Sequence, residues 1–220
     1  MKAKSTKGQK TRHRILEAAS TLIQKSGVNG TSVDDVLKAS KTGKSQFYHY
    51  FGSKSLMIRD LIEHRKAGLN SLGEAQLKQL DSPEAIGLWL DAIIREFEQG
   101  VLSQGCPIGD LAAELACSNE ELRSHLNHTF NSWSDCLETG FKEMAARGDL
   151  DPSMEPAHLA SFFISAIEGA ILLAKTARNS EPLKATAAQL MVHLSGGRKL
   201  PGMMFGRGRP KTRRRIGFCP

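Results

Sequence analysis

The side chains best suited to chemistry crowd into one short run: Lys44, Ser45, Gln46, Tyr48, His49 and Tyr50. Ser32 precedes the run and Lys54 follows it closely. Cations, hydroxyls and an amide in this density suit phosphate oxygens and base edges. Lysine matches the acceptors of guanine, and glutamine can bond adenine in two places. Lys44 and Gln46 are therefore the expected base readers. Tyr48 and Lys54 are expected to hold the phosphate backbone and set register, with Ser32, Ser45, His49 and Tyr50 completing a DNA-binding set. The alternative is an exposed polar face that binds nothing.

Other chemistries are poorly supported. No nucleophile–base set, Gly-rich phosphate loop or metal cluster is evident, so neither an enzyme nor a bound cofactor is expected. The four cysteines, Cys106, Cys117, Cys136 and Cys219, show no CxxC pairing, which argues against a zinc site or a disulfide scaffold and for a reducing cytoplasm. Cys106, between Gly105 and Pro107 at an interhelical joint, is a candidate redox thiol; the rival reading is an inert small apolar residue. His125 and His128 stand one helical turn apart without a third ligand and are read as solvent-facing. No apolar h-region follows the basic N-terminus, so a secretory signal is not expected. The longest uninterrupted apolar run, Ala170 to Ala174, is far shorter than the ~20 residues a membrane span needs.

Charge is distributed unevenly. The formal net charge is +7, yet residues 1–14 hold six lysines and arginines, residues 196–220 hold eight, and neither segment holds an acid. The middle is consequently net acidic. Basic ends beside a polar helix suit a polyanion, because phosphate neutralisation releases counterions. Gly206-Arg207-Gly208-Arg209-Pro210-Lys211 resembles an AT-hook, an extended element for narrow A·T-rich minor grooves. A basic extension with only non-specific affinity is the equal alternative.

The elements that must position the reading residues follow from periodicity. A first helix spans about Lys7 to Lys25, with Ile15, Leu16, Ala19, Leu22 and Ile23 on one face and Gly27 as its stop. Thr31 or Ser32 caps a second helix, with Asp34 or Asp35 as the acidic half of a capping box. Ser40 to Gly43 makes a turn, and a third helix runs to Tyr50 with Phe47 and Phe51 as its buried anchors. Ser53 caps a long fourth helix. Ser82 and Pro83 start a fifth, reaching about Leu102. A short helix to Cys117, a long one to Arg147, one from about Glu155 to Arg178 and one from Glu181 to Leu194 complete the chain. The penultimate helix is apolar around nearly its whole circumference, which predicts burial on all sides. No convincing strand pattern exists, so the expected fold is all-α with about nine helices. Residues 1–53 read as an arm and DNA-binding domain, 54–195 as a ligand-binding and dimerisation domain, and 196–220 as a basic tail.

Thr31 to Asp35, Gly43-Lys44-Ser45-Gln46-Phe47-Tyr48-His49-Tyr50-Phe51 and Ser53-Lys54-Ser55-Leu56 resemble the DNA-binding signature of the TetR family of transcriptional repressors. Gly105 to Glu114 and Glu168 to Ala174 resemble the branch of lincomycin- and flavonoid-responsive regulators. The resemblance spans about Thr11 to Leu194. It implies that the first three helices bind DNA, that the next four enclose an inducer pocket, and that the last two pair across a twofold axis. Gly43 and Ser45 depart from the common pattern, which puts the capping of the third helix on another residue, Thr42 being the candidate.

The resulting expectation is a ligand-responsive regulator, most simply a repressor, that binds a palindromic operator as a homodimer and is released by a small-molecule inducer. Trp89, Phe97, Phe130, Trp133, Phe163 and Glu168 are the candidate pocket residues, although each could be ordinary core. Phe162, Ala166, Ala170 and Leu173 are the candidate dimer contacts. The rival within DNA binding is an architectural protein without sequence preference.

Overall fold

The computed structural model describes residues 7–69 and 72–196. Lys2, Lys4, Cys219 and the whole AT-hook-like element lie outside the described residues. Within them the chain is entirely helical, with ten helices. These are α1 (Lys7–Ser26), α2 (Val33–Ser40), α3 (Lys44–Phe51), α4 (Lys54–Gly68), α5 (Glu74–Leu77), α6 (Pro83–Glu98), α7 (Pro107–Leu115), α8 (Glu120–Arg147), α9 (Pro156–Ala177) and α10 (Glu181–Leu194). The helix beyond the expected set is α5. Its four residues are too few to show a period, yet they carry Leu77 inward beside the buried Leu72 and Leu80. A second difference is at α6, which stops at Glu98 rather than near Leu102. Gly100, at φ +89°, turns the chain just beyond it.

The first three helices close on Ile15, Leu16, Ala19, Val36, Phe47 and Phe51. Their ends are fixed by side chains. Ser32 Oγ accepts the Asp35 amide at 3.1 Å while Asp35 Oδ2 accepts the Ser32 amide at 3.0 Å, a reciprocal capping box. Those bonds hold the Asp35 carboxyl below the usual carboxylate range. Thr31 faces back instead, donating to the Gly27 carbonyl at 2.8 Å. Thr42 does not cap α3, because its hydroxyl pairs with that of Ser40 at 2.7 Å. Gly43 is the N-cap, and Gln46 Oε1 accepts the Gly43 amide at 3.3 Å.

Helix α4 leaves this unit capped by Ser53 and packs on α1, α7 and α8. Helix α8 lies against α7 and α9, and α10 packs on α9 and α6. By length and composition α9 would suffice to cross a membrane, which the short apolar runs did not suggest. Here it is a two-sided helix. Leu159, Phe163, Ile167, Ala170, Ile171 and Ala174 enter the core, while Phe162, Leu172 and Leu173 stand exposed. The expectation of burial on all sides therefore fails for the single chain.

Candidate nucleic-acid interface and its coupling to the helical core

Two aromatic anchors orient α3. Phe47 is fully buried and Phe51 nearly so, four residues apart and thus on one face. The opposite face carries Lys44, Ser45, Tyr48 and His49 in the open, with Gln46 exposed at its flank. Tyr50 differs from the expected set: it is half-buried and packs against the core. Gln46 divides its capacity, since its carbonyl oxygen caps the helix and its amide N–H groups stay free to donate. Ser32 is exposed, and its hydroxyl is engaged with Asp35 at 2.5 Å.

Lys54 has a second role that its position at a helix start does not reveal. Its ammonium donates to the Val28 carbonyl at 2.7 Å, closing α4 onto the turn between α1 and α2. Two of its three donors remain for another acceptor. Arg12 reinforces the same corner, pairing with Asp60 at 2.6 Å and lying 5.6 Å from the Phe51 ring centroid.

The turn that Lys54 holds from one side is held by α7 from the other. Glu114 accepts the Val28 amide through Oε2 and the Asn29 amide through Oε1, both at 2.8 Å. Gly27, at φ +74°, leaves room: a Cβ there would stand 3.0 Å from Glu114 Oε1. Arg65 of α4 makes a parallel tie. Only 9% exposed, its guanidinium donates to the Ser20 hydroxyl and carbonyl and to the Pro107 carbonyl, at 3.2, 3.0 and 3.1 Å. Sequence reading missed both Glu114 and Arg65, because their partners are 42 to 86 residues away.

Two cavities adjoin these ties. A cleft of about 440 Å³ lies between α1, α4 and α7, with Ser20, Arg65, Pro107, Glu114 and Lys175 among its lining. A cavity of about 310 Å³ lies where α7, α8 and α9 meet, lined by Cys106, Gly109, Phe130, Glu168 and Leu172 among others. Burial pushes the Glu168 carboxyl up to about 7, with Asp110 adding to the effect and the Cys106 thiol opposing it. The carboxylate presses on Gly109, where a Cβ would meet Oε2 at 2.5 Å.

Of the expected pocket residues, Phe130 and Glu168 line this second cavity, and Phe97 lines a separate depression near Ser180. Trp89, Trp133 and Phe163 are packed core and line none of these cavities. Large aromatics at helical spacing fill space between helices, which is why pattern alone overstated them. The Trp133 indole N–H finds no hydrogen-bond partner among the described residues.

Cys106 is not the accessible thiol that its Gly-Cys-Pro context suggested. It is 3% exposed and caps α7, its Sγ accepting the Gly109 amide at 3.4 Å. A helix N-terminus favours a thiolate, but burial and the Glu168 carboxylate outweigh it and push the thiol well above its ordinary range. His125 also departs from the solvent-facing reading, standing half-buried 2.9 Å from Glu63. Among the expected dimer contacts, Phe162 and Leu173 are exposed and Ala166 is half-buried. Ala170 is a correction: it points inward toward α6 and α10. Leu172 and Val192, not singled out as dimer contacts from sequence, are also exposed apolar residues, Leu172 at the rim of the second cavity.

A trihelical unit that presents a short polar helix, joined through a long helix to an all-α body, defines a helix-turn-helix DNA-binding regulator. Residues 15–61 match the family described as bacterial regulatory proteins, tetR family. Residues 83–189 match the transcriptional regulator LmrA/YxaF-like C-terminal domain. An uncharacterized HTH-type transcriptional regulator from the lacX 3′ region of Lactococcus lactis subsp. lactis is 34% identical over 176 residues, 79% of this chain and 88% of its own length. The HTH-type transcriptional repressor DhaR of a Mycobacterium species is 29% identical over 178 residues, 78% of this chain and 86% of its own. A crystal structure of the regulatory protein TetR from Rhodobacter sphaeroides superposes with a TM-score of 0.71 at 25% identity, covering 83% of this chain and 98% of that one. The chain belongs to the TetR family of transcriptional regulators, and its C-terminal domain is of the LmrA/YxaF-like kind.

Proposed function

We propose that this chain is a ligand-responsive repressor that binds a palindromic operator as a homodimer and lets it go when a small molecule occupies the helical body. Residues 1–53 serve as the DNA-binding domain and 54–195 as the ligand-binding and dimerisation domain. The observation that carries this reading is the outward polar face of α3, fixed by Phe47 and Phe51. Lys44 and Gln46 read bases there; Tyr48, Ser45 and His49 contact the backbone and neighbouring edges. Lys54 adds a phosphate contact with the donors that Val28 leaves free.

The exposed apolar residues Phe162, Leu172, Leu173 and Val192 support pairing of α9 and α10 with their twofold mates. A patch of this kind on a lone chain favours self-association. The name of the relative DhaR supports repression over activation. The cavity holding Phe130 and Glu168 is the proposed inducer site, because it is walled by α7, which also carries Glu114. An inducer that shifts α7 would disturb the turn before α2 and the α4 tie through Arg65, and so change the spacing of the two α3 helices. Such a ligand acts only through its differential affinity for the two arrangements.

The test is a mobility-shift assay on the DNA upstream of the chain's own gene, with and without candidate small molecules. Retardation that a ligand abolishes supports the reading. A footprint that is uniform along any DNA would favour an architectural protein instead.

A further inference from the structure

Helices α1 and α4 bring together three side chains that the DNA-binding face does not use. His13 and Glu17 are one helical turn apart on α1, and His64 reaches them from α4. His64 Nε2 stands 2.7 Å from Glu17 Oε1, and His13 Nε2 stands 3.8 Å from the same oxygen. The imidazole rings meet edge-on with centroids 5.2 Å apart, and the ligand-capable atoms of all three residues lie within 4.8 Å of one another.

These separations bracket what a transition metal requires. Ligands at about 2.0–2.1 Å from zinc in a tetrahedral array stand roughly 3.3 Å from each other. Small rotamer adjustments by exposed side chains would suffice, since His13 and Glu17 are more than half open to solvent. Two imidazoles and a carboxylate suit zinc, cobalt, nickel or copper and are a poor set for calcium or magnesium, which prefer oxygen. Glu17 and His64 also line the 440 Å³ cleft, so water or a ligand atom can take the remaining coordination position at its rim.

We propose that His13, Glu17 and His64 form a site for a divalent transition-metal ion, with zinc the best fit. The bound ion bridges α1 and α4. Arg65, next to His64, already ties α4 to Ser20 of α1. Metal at this joint therefore stiffens the connection through which α4 leaves the DNA-binding unit. Metal binding itself is independent of the repressor reading.

The experiment uses the full chain, freed of any affinity tag, titrated with zinc chloride by calorimetry and with cobalt(II) by visible absorption. Calorimetry is expected to give about one zinc per chain, and cobalt the intense d–d bands of a low-coordinate nitrogen–oxygen site. His13→Gln and His64→Gln are each expected to weaken binding by about tenfold or more, as loss of a ligand must exceed the effect of losing a supporting contact. The double variant His13→Gln/His64→Gln should lose the bands while keeping the helical circular-dichroism spectrum. Zinc binding of equal affinity in the double variant would place the metal elsewhere and overturn the proposal. Absence of binding to the unaltered chain at a hundred-micromolar zinc, about the weak limit for a surface site with three ligands, would overturn it equally. Operator affinity measured with and without zinc is a separate readout, so failure to bind DNA leaves the metal result intact.

Discussion

The carboxylate of Glu114 accepts the amide of Val28 at 2.8 Å, joining α7 to the turn between α1 and α2 across 86 residues of sequence. The same peptide segment is held from the far side by Lys54, which takes the Val28 carbonyl. Val28 thus lies between an acid from the helical body and a lysine from α4. A displacement of α7 has a direct path to the turn that precedes α2.

Replacing Glu114 by alanine frees both amides. Hydrogen exchange at Val28 and Asn29 is expected to quicken markedly, and the chain to lose about 1 kcal/mol in urea denaturation, since these charge-assisted bonds are half exposed. Glu114→Gln keeps one good acceptor and should fall between. Unchanged exchange at both amides would show that the contact does not persist in solution.

Arg65 is the costlier deletion. Arg65→Met leaves the Ser20 and Pro107 carbonyls without their donor in a buried setting, and about 2–4 kcal/mol of stability is expected to go with it. Arg65→Lys should rescue only part of this, because an ammonium cannot reproduce the planar fork that meets three acceptors. Equal melting temperatures for the lysine variant and the unaltered chain would contradict that geometry.

Glu168 predicts a pH dependence. Its carboxyl sits near 7 in the folded chain against an ordinary 4.5. Between those values the folded state binds a proton that the unfolded state has released, so stability falls as pH rises from about 4.5 to about 7 and stays low above it. Glu168→Gln should remove that slope and make the chain more stable at pH 8 by about 3 kcal/mol. Denaturation midpoints at pH 5.5 and pH 8 for both proteins check this. A slope that survives in the glutamine variant would assign it to other groups.

The exposed face of α9 gives a prediction about assembly. Leu173→Glu places a charge on the exposed side of α9 that also carries Phe162, and the proposed dimer is expected to give way to monomer in sedimentation at micromolar concentration. Ala170→Ser, on the inward face, should leave the assembly state unchanged while lowering stability.

Local signals in the sequence were sufficient for much of this. The Ser32–Asp35 box, the Ser53 and Ser82 caps and the spacing of Phe47 and Phe51 are written within a few residues, and so the position and orientation of α3 were legible. The Thr42 cap does not form because Ser40 competes for its hydroxyl, a choice that depends on the turn's three-dimensional path. Glu114, Arg65 and the His13–Glu17–His64 group were invisible for a different reason. Each is an ordinary surface-type residue until folding brings distant helices together. Ala170, expected at the dimer face, turns inward, because an all-apolar helix carries no contrast by which to tell its inner face from its outer one.

DNase footprinting on the upstream region asks whether α3 reads a palindrome through Lys44 and Gln46. A single protected palindrome is expected, with half-sites about 10 base pairs apart or a multiple of that. Protection should weaken by about tenfold or more in Lys44→Ala and in Gln46→Ala, with non-specific affinity little changed. Protection spread evenly along the DNA, or a discrete footprint indifferent to both substitutions, would contradict it.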